Sequence, residues 1–239
     1  MKYLILFSTT GGHTKVIAEA IADEVRAQES GAECTIQDIK VFMTHNTLTS
    51  EGVVDMKHYD KVVLGASVRY NSFAQEVHQF VKQYQTHLNS IPSAFYVVDM
   101  VAYKEHRNTP ETNPYSRRFL RASPWKPTKV AVFAGALYYP RYSFFDRNLI
   151  RCIMKLAGGE TDPKTEKVYT DWDSVKAFAQ EIVGLSAGDV TIAQEEAQKV
   201  EREEAVKERT SRLYRMCFMS VVAVVAGVTK GVVQRKLLK

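Results

Sequence analysis

A short apolar run opens this chain and passes through a hydroxyl- and glycine-rich turn into a helix; no other feature restricts the possible folds so sharply. Lys2-Tyr3-Leu4-Ile5-Leu6-Phe7 is short and lacks polar alternation, as expected of a strand buried on both faces of a parallel sheet. Ile17, Ile21 and Val25 recur at i, i+4 and i+8, one stripe of a helix. The intervening Ser8-Thr9-Thr10-Gly11-Gly12-His13-Thr14 therefore joins a strand to a helix N-terminus. Free backbone N–H groups, hydroxyls and the positive end of the helix dipole converge there, which makes an anion site and most often a phosphate site.

Two common nucleotide signatures are absent. No Gly-x-Gly-x-x-Gly follows the first strand, and no Gly-x-x-x-x-Gly-Lys-Ser/Thr occurs. A turn with several hydroxyls and few glycines can wrap a phosphate monoester from many sides, and this one resembles the flavodoxin loop that holds the FMN phosphate. Taken alone, it is equally a polar turn ahead of a capped helix.

With 239 residues, 45% of them hydrophobic, the chain suffices for one sizeable α/β domain and an extension. Its net charge of +5 and pI of about 9.0 depart from the acidity of a typical flavodoxin. They favour an anionic partner: a membrane surface, nucleic acid or a carboxylate-bearing substrate. Cys34, Cys152 and Cys217 are odd in number and widely spaced, which suggests inert thiols in a reducing compartment. No cleavable secretory or transit peptide is expected.

Residues 33–39 read as a second strand, 41–57 as an irregular surface connection, and 61–65 as a third strand running into Ala66-Ser67-Val68-Arg69-Tyr70-Asn71. Residues 72–88 predict a helix with Phe73, Val77, Phe80, Val81, Tyr84 and Leu88 on one face, and Ser72 with Gln75 as a capping box. Strand four covers 93–98, ending at Asp99-Met100-Val101, and strand five covers 130–135. The domain's last helix covers 174–185, capped by Asp171 or Asp173. This alternation predicts an α/β, doubly wound parallel sheet with right-handed crossovers, whose ligands sit beyond the C-terminal strand ends. Loops 8–14, 66–71, 99–104 and 135–139 lie at such ends. The first would hold the phosphate. The others would flank a flavin ring, with Tyr70 or Tyr103 either stacking on it or packing within the protein.

Two basic stretches stand out. Residues 104–129 form a long connection with a helical turn at 113–120, bearing Lys104, Arg107, Arg117, Arg118, Arg121, Lys126 and Lys129. It is either a solvated surface or a trap for carboxylates or lipid phosphates. Residues 138–161 are an insert after strand five with helical character over 143–156. Phe145, Leu149, Cys152, Ile153 and Leu156 make one side, broadened by Phe144, Ile150 and Met154, and Arg147, Arg151 and Lys155 make a basic stripe. Such a helix suits a membrane interface, or it simply covers the sheet edge. Gly158-Gly159 would end it, and 167–170 would resume as an edge strand.

Longer strings carry a more specific resemblance. They are Gly65-Ala66-Ser67-Val68-Arg69-Tyr70, Leu88-Asn89-Ser90-Ile91-Pro92-Ser93-Ala94-Phe95-Tyr96, Ala134-Gly135-Ala136-Leu137-Tyr138-Tyr139-Pro140-Arg141-Tyr142, Ile153-Met154-Lys155-Leu156-Ala157-Gly158-Gly159-Glu160-Thr161-Asp162 and Val168-Tyr169-Thr170-Asp171-Trp172. In this order, over nearly all of residues 1–185, the chain resembles the HemG-type menaquinone-dependent protoporphyrinogen IX dehydrogenases, a flavodoxin-like family.

The resemblance implies a flavodoxin-like, doubly wound parallel five-stranded sheet that binds FMN, with the long-chain insert after strand five. It implies six-electron oxidation of protoporphyrinogen IX to protoporphyrin IX in haem biosynthesis, with electrons passed to a membrane quinone, menaquinone or ubiquinone. Carried over residue by residue, the phosphate contacts fall on Ser8, Thr9, Thr10, Gly11, Gly12, His13 and Thr14. The strand-end position of the other loops adds Ala66, Ser67, Val68, Arg69 and Tyr70, Asp99, Met100, Val101, Ala102 and Tyr103, and Gly135, Ala136 and Leu137 as cofactor-binding candidates. It assigns no side-chain acid or base and no metal; the flavin N5 would carry the chemistry. The substrate's two propionates make Arg117, Arg118, Arg121, Arg141, Arg147, Arg151 and Lys155 candidates for substrate or membrane contact. The chain departs from the pattern at Thr10-Gly11, where relatives can have Arg-Asp, and in its longer 41–57 stretch.

Residues 186–239 lie outside that resemblance. A charged helical linker is expected over 186–215. Residues 216–229 are apolar or small apart from Ser220, flanked by Arg212, Arg215, Lys230, Arg235 and Lys236. A full span needs about 20 apolar residues, so this run reaches only if Lys230 snorkels. Residues 216–239 are therefore a C-terminal membrane-anchor candidate, with an interfacial helix or an oligomer-forming helix as alternatives. The domain organisation is thus 1–185, 186–215 and 216–239. Membrane association is expected, at the cytoplasmic face of a bacterial inner membrane or the mitochondrial inner membrane of a eukaryote, with no nucleic acid bound and homo-oligomerisation left open. The rival functions are an FMN-dependent NAD(P)H:quinone reductase, a flavodoxin-type electron carrier, and a membrane-tethered protein without flavin.

Overall fold

Period-two alternation along the first strand builds two cores at once. β1 (Lys2–Ser8) buries Leu4 and Leu6 in one cluster and Tyr3, Ile5 and Phe7 in another, on opposite faces of the sheet. The chain then runs α1 (His13–Gln28), β2 (Glu33–Asp38), α2 (Ile39–Leu48), β3 (Lys61–Ser67), α3 (Gln75–Leu88), β4 (Ser93–Asp99), α4 (Pro114–Ala122), β5 (Lys129–Ala134), β6 (Ala136–Tyr138), α5 (Phe144–Leu156), β7 (Glu166–Val168), α6 (Trp172–Gly184) and α7 (Ala187–Lys236). The computed structural model describes the backbone of residues 1–48, 56–156 and 159–236, and side chains within 1–44, 56–155 and 159–212.

β1 to β5 form one parallel sheet in the order β2-β1-β3-β4-β5. Helices α1 and α6 cover the Tyr3/Ile5 face, while α2, α3 and Phe119 of α4 cover the Leu4/Leu6 face. This is the flavodoxin-like fold predicted, with the order reversing between β1 and β3, where open α/β sheets take their ligands. Because all five strands are parallel, loops 8–14, 66–71, 99–104 and 135–139 share one edge. Buried Lys61 at the opposite end donates to the Ile182 and Val183 carbonyls, 3.0 and 2.6 Å away, and so satisfies the C-terminus of α6. Burial pulls its pKa down.

Several local expectations need correction. The connection expected to be irregular over 41–57 begins as helix α2, because Ile39 and Phe42 both bury against the sheet and Asp38 accepts from the Lys40 N–H at 2.8 Å; residues 49–55 lie outside the described residues. The Ser72–Gln75 capping box does not form. Ser72 is committed to a two-way backbone pairing with Arg69, and α3 starts after Ala74 with no side-chain cap. β7 pairs antiparallel with β6 in a separate two-stranded sheet rather than extending the edge of the main one. Asp171 is the cap of α6.

Two compact units divide the chain, Met1–Gln194 and Glu195–Lys239. α7 starts with Ser186 bonded through its N–H and hydroxyl to Asp189, at 2.8 and 2.6 Å. Its charged stretch carries an i,i+4 pair, Arg212–Glu208, at 2.8 Å. Among the described residues no helix is long and apolar enough to cross a membrane. The anchor candidate 216–239 falls where side chains are outside the described residues, as does Cys217.

Candidate active site

The first loop has the chemistry of an anion cradle. Gly12 takes φ +85°, the left-handed region open to glycine, and starts α1 with no side-chain cap and no acidic residue in the first turn. The Lys15 N–H is spent on the Gly12 carbonyl at 3.1 Å, which leaves the His13 and Thr14 N–H groups and the helix dipole facing the loop. The Gly12 N–H donates to Thr9 Oγ1 at 3.0 Å, which draws the loop closed. Thr14 is 1% exposed, and its hydroxyl has no hydrogen-bond partner. An orphaned buried hydroxyl is unfavourable unless a ligand completes it. Hydroxyls and amides with no fixed cation are what a phosphate monoester needs on several sides, so these residues fit the phosphate of a flavin mononucleotide. Tyr96, fully buried, holds the turn from below by donating to the Thr14 carbonyl at 3.0 Å.

His13 ties this loop to the later chain. Thr170 Oγ1 donates to the Ala134 carbonyl at 2.6 Å, so it must accept from His13 Nε2–H, also at 2.6 Å. The neutral ring then turns Nδ1 to the Tyr138 hydroxyl at 3.4 Å and meets Tyr138 and Trp172 edge-on. Burial lowers its pKa. A histidine with a depressed folded pKa contributes stability above its unfolded pKa and loses it as pH falls through the folded value. The flavin-free protein should therefore lose thermal stability as pH falls below the free-histidine value of about 6.5, and His13→Gln should flatten that slope; identical slopes in melting scans would refute it.

In loop 66–71, Tyr70 and Asn71 have φ of 47° and 67°, an unusual conformation for non-glycine residues. Three contacts enforce it: the Arg69–Ser72 pairing, a hydrogen bond from Arg118 to the Asn71 carbonyl, and an anchor to Asp146 of α5. Asp146 accepts from Arg69 Nη2 at 2.6 Å and from the Tyr70 hydroxyl at 2.5 Å. The Arg69 guanidinium lies 5.1 Å from the Tyr70 ring centre. Val68 donates to the Val98 carbonyl, Ser67 donates to the Ser8 carbonyl, and Ala66 is core.

Asp99 organises the third loop. Its buried carboxylate accepts from Val101 N–H at 2.8 Å, Ala102 N–H at 2.9 Å and Asn113 Nδ2 at 2.8 Å. Burial raises its pKa, opposed by those hydrogen bonds and by the charge of Arg107. Asn113 in turn caps α4 through Oδ1, ahead of Pro114 at the first helical position. Tyr103 packs on Tyr169 with ring centres 5.6 Å apart. Met100 lies beside Gly135, whose N–H donates to the Asp99 carbonyl at 3.0 Å. Leu137 is fully buried with Tyr139 and Met154, and Ala136 pairs with Val168. Both tyrosines proposed to stack on a flavin thus have protein neighbours, and Ala66, Ala102 and Leu137 belong to cores.

The basic candidates separate by environment. Arg141 pairs with Glu166 at 3.2 and 2.9 Å and lies 4.2 Å from the Tyr138 ring centre. Arg151 donates to the Thr161 carbonyl at 2.8 Å. Arg117, Arg121 and Lys155 are exposed. Arg147 is half-buried. Sequence reasoning missed Asp146, Tyr138, Thr170 and the role of Tyr96, all of which act across long chain separations. Only Asn113-Pro114 had a local signal, that of a helix start.

The flavodoxin-domain family model matches residues 4–164. A protein of Escherichia coli K12 called protoporphyrinogen IX dehydrogenase (quinone) is 46% identical over 186 residues, covering 78% of this chain and 97% of that protein. A protein of the same name from Leishmania major is 42% identical over 231 residues, 97% of this chain and 94% of that protein. Such a match has to run through most of residues 186–239, so the tail, expected to lie outside any resemblance, has a counterpart there. The crystal structure of oxidised flavodoxin 1 from Bacillus cereus, 14% identical, aligns with 78% of this chain and 100% of its own at a TM-score of 0.40.

Proposed function

We propose that this chain, which belongs to the flavodoxin-domain family and within it to the protoporphyrinogen IX dehydrogenases (quinone), holds FMN at the C-terminal edge of its sheet and oxidises protoporphyrinogen IX with a quinone as acceptor. The observation that carries the cofactor assignment is the buried Thr14 hydroxyl without a partner at the N-terminus of α1. FMN, when bound, supplies two-electron exchange between a reduced macrocycle and a quinone. The residues supply position. His13 and Thr14 present amides and a hydroxyl to a phosphate, on the loop that Gly12 and Thr9 close. Asp99 fixes Val101 and Ala102 through their N–H groups, and Asp146 fixes Arg69 and Tyr70. No side chain at this edge stands out as a proton donor to the macrocycle, and Asp99 is fully engaged by three donors.

A membrane surface as partner is supported by α5. Phe144, Phe145, Leu149 and Ile153 are 66, 83, 48 and 54% exposed, with Lys155 on the same outward side. An apolar ridge beside a cation on a chain of net charge +5 suits an anionic bilayer, where the quinone and the substrate also partition.

The test is anaerobic mixing of the flavin-loaded protein with protoporphyrinogen IX and either a water-soluble short-chain quinone or a long-chain quinone in anionic vesicles. Porphyrin fluorescence should rise with both quinones, and NADPH should not replace porphyrinogen as donor. Absence of porphyrin, or rapid flavin bleaching by NADPH, overturns the assignment in favour of a quinone reductase. Phe145→Glu should slow turnover about tenfold with vesicle-borne quinone alone, since burying a phenylalanine contributes roughly 1.5–3 kcal/mol; equal rates on both quinones would remove the membrane surface.

A further inference from the structure

We propose that Arg147 receives a propionate carboxylate of the tetrapyrrole, an inference that rests on the function proposed above. α5 turns Phe145, Leu149 and Cys152 outward and Arg147 and Arg151 inward, beside Ile150 and Met154. Met154 and Ile150, on the inner side, pack with Leu137, Tyr139 and Met100 just beyond the ends of β5 and β4. Arg147 lies seven residues before Met154, about 20° away around the helix. It therefore shares the strip that faces the strand ends, opposite exposed Phe145, Leu149 and Cys152.

Arg147 is half-buried, and among the described residues its guanidinium has no hydrogen-bond or ion-pair partner. The other half-buried arginine among them, Arg151, is held by the Thr161 carbonyl, and exposed Arg69 is held by Asp146. Neighbouring Asp146 does not compensate Arg147, because its two oxygens already accept from Arg69, Tyr70 and Ser143 at 2.6, 2.5 and 2.8 Å. These bonds also fix where Arg147 sits, one residue beyond an anchor on the 66–71 loop. A guanidinium withdrawn from water without an anion is unfavourable, and its planar fork matches a carboxylate. The phosphate of the cofactor is served elsewhere, by the hydroxyls and amides of loop 8–14. The anions left for a cation at the strand ends are the carboxylates of the substrate.

The test compares wild type, Arg147→Gln and Arg147→Lys in the flavin-loaded full-length chain, by fluorescence titration with protoporphyrin IX and its dimethyl ester, and by steady-state oxidation of the corresponding porphyrinogens with a soluble quinone. Arg147→Gln should weaken diacid binding and raise its KM about tenfold, leave the diester and kcat within twofold, and keep full flavin content. Arg147→Lys should recover part of the loss. Equal losses for diacid and diester, no loss for either, or failure of wild type to prefer the diacid would overturn the proposal. So would loss of binding to anionic vesicles with diacid binding intact, which would give Arg147 to a lipid phosphate. A wild type that binds the diacid through Arg147 but oxidises no porphyrinogen would leave this carboxylate site standing and remove the function on which it was built.

Discussion

Gly65→Ala should destabilise the protein by about 2–6 kcal/mol and weaken flavin binding at the same time. Gly65 lies in the middle of β3, directly opposite Tyr96 of β4. A Cβ there would meet Tyr96 Cζ at 1.9 Å and its hydroxyl oxygen at 2.2 Å. No small adjustment relieves that overlap, because Tyr96 is fully buried among Phe133, Phe178 and the inward side of α1. Overpacking a core takes about 1–3 kcal/mol, and a phenol forced away from the Thr14 carbonyl loses its only acceptor for about 1–3 more. In a chain of this size the melting temperature should fall by roughly 10 °C. Tyr96→Leu frees the space, so the double variant should be more stable than the sum of the two single effects. It should not regain flavin affinity, since nothing then holds the first turn of α1 from below. A Gly65→Ala protein that melts within a degree or two of wild type would refute the close approach.

The same pair marks the limit of what the chain reveals without coordinates. A glycine inside a buried apolar run reads as a weak point of a strand, and nothing near residue 65 announces a tyrosine ring from residue 96 lying over it. The strand–loop–helix of 1–25 was legible because its periods are local and its turn composition is extreme. That the five strands run parallel followed from the alternation of short apolar runs with helical patterns. The orientation of α5 was not legible. Its apolar residues outnumber its cations, and burial of the apolar side is the default expectation. The protein instead turns Arg147 and Arg151 inward and Phe145 and Leu149 outward. That choice is set by Asp146, whose partners Arg69 and Tyr70 are more than 70 residues earlier. His13 and Thr170 meet across 157 positions, and no pattern in either neighbourhood predicts it.

Thr14→Val should have effects of opposite sign on stability and on cofactor binding, and that opposition separates a ligand-binding hydroxyl from a packing one. In the flavin-free protein, Oγ1 of Thr14 is buried with nothing to bond. Removing such a group relieves about 1–3 kcal/mol of desolvation, and valine has nearly the same shape and helix propensity. The apo variant should therefore be at least as stable as wild type. With FMN present, the hydroxyl would donate to a charged phosphate oxygen, an interaction of about 1.5–3 kcal/mol. Its loss should weaken FMN roughly 10- to 150-fold. Riboflavin, which has the same ring system and no phosphate, should bind wild type and variant alike. Thr14→Ser keeps the donor and removes a methyl, so it should retain FMN affinity while lowering stability. If Thr14→Val weakened riboflavin as much as FMN, the effect would lie in the fold of the loop; if it weakened neither, the phosphate would have to be sought outside residues 8–14, and the α1 N-terminus would lose its place in the mechanism.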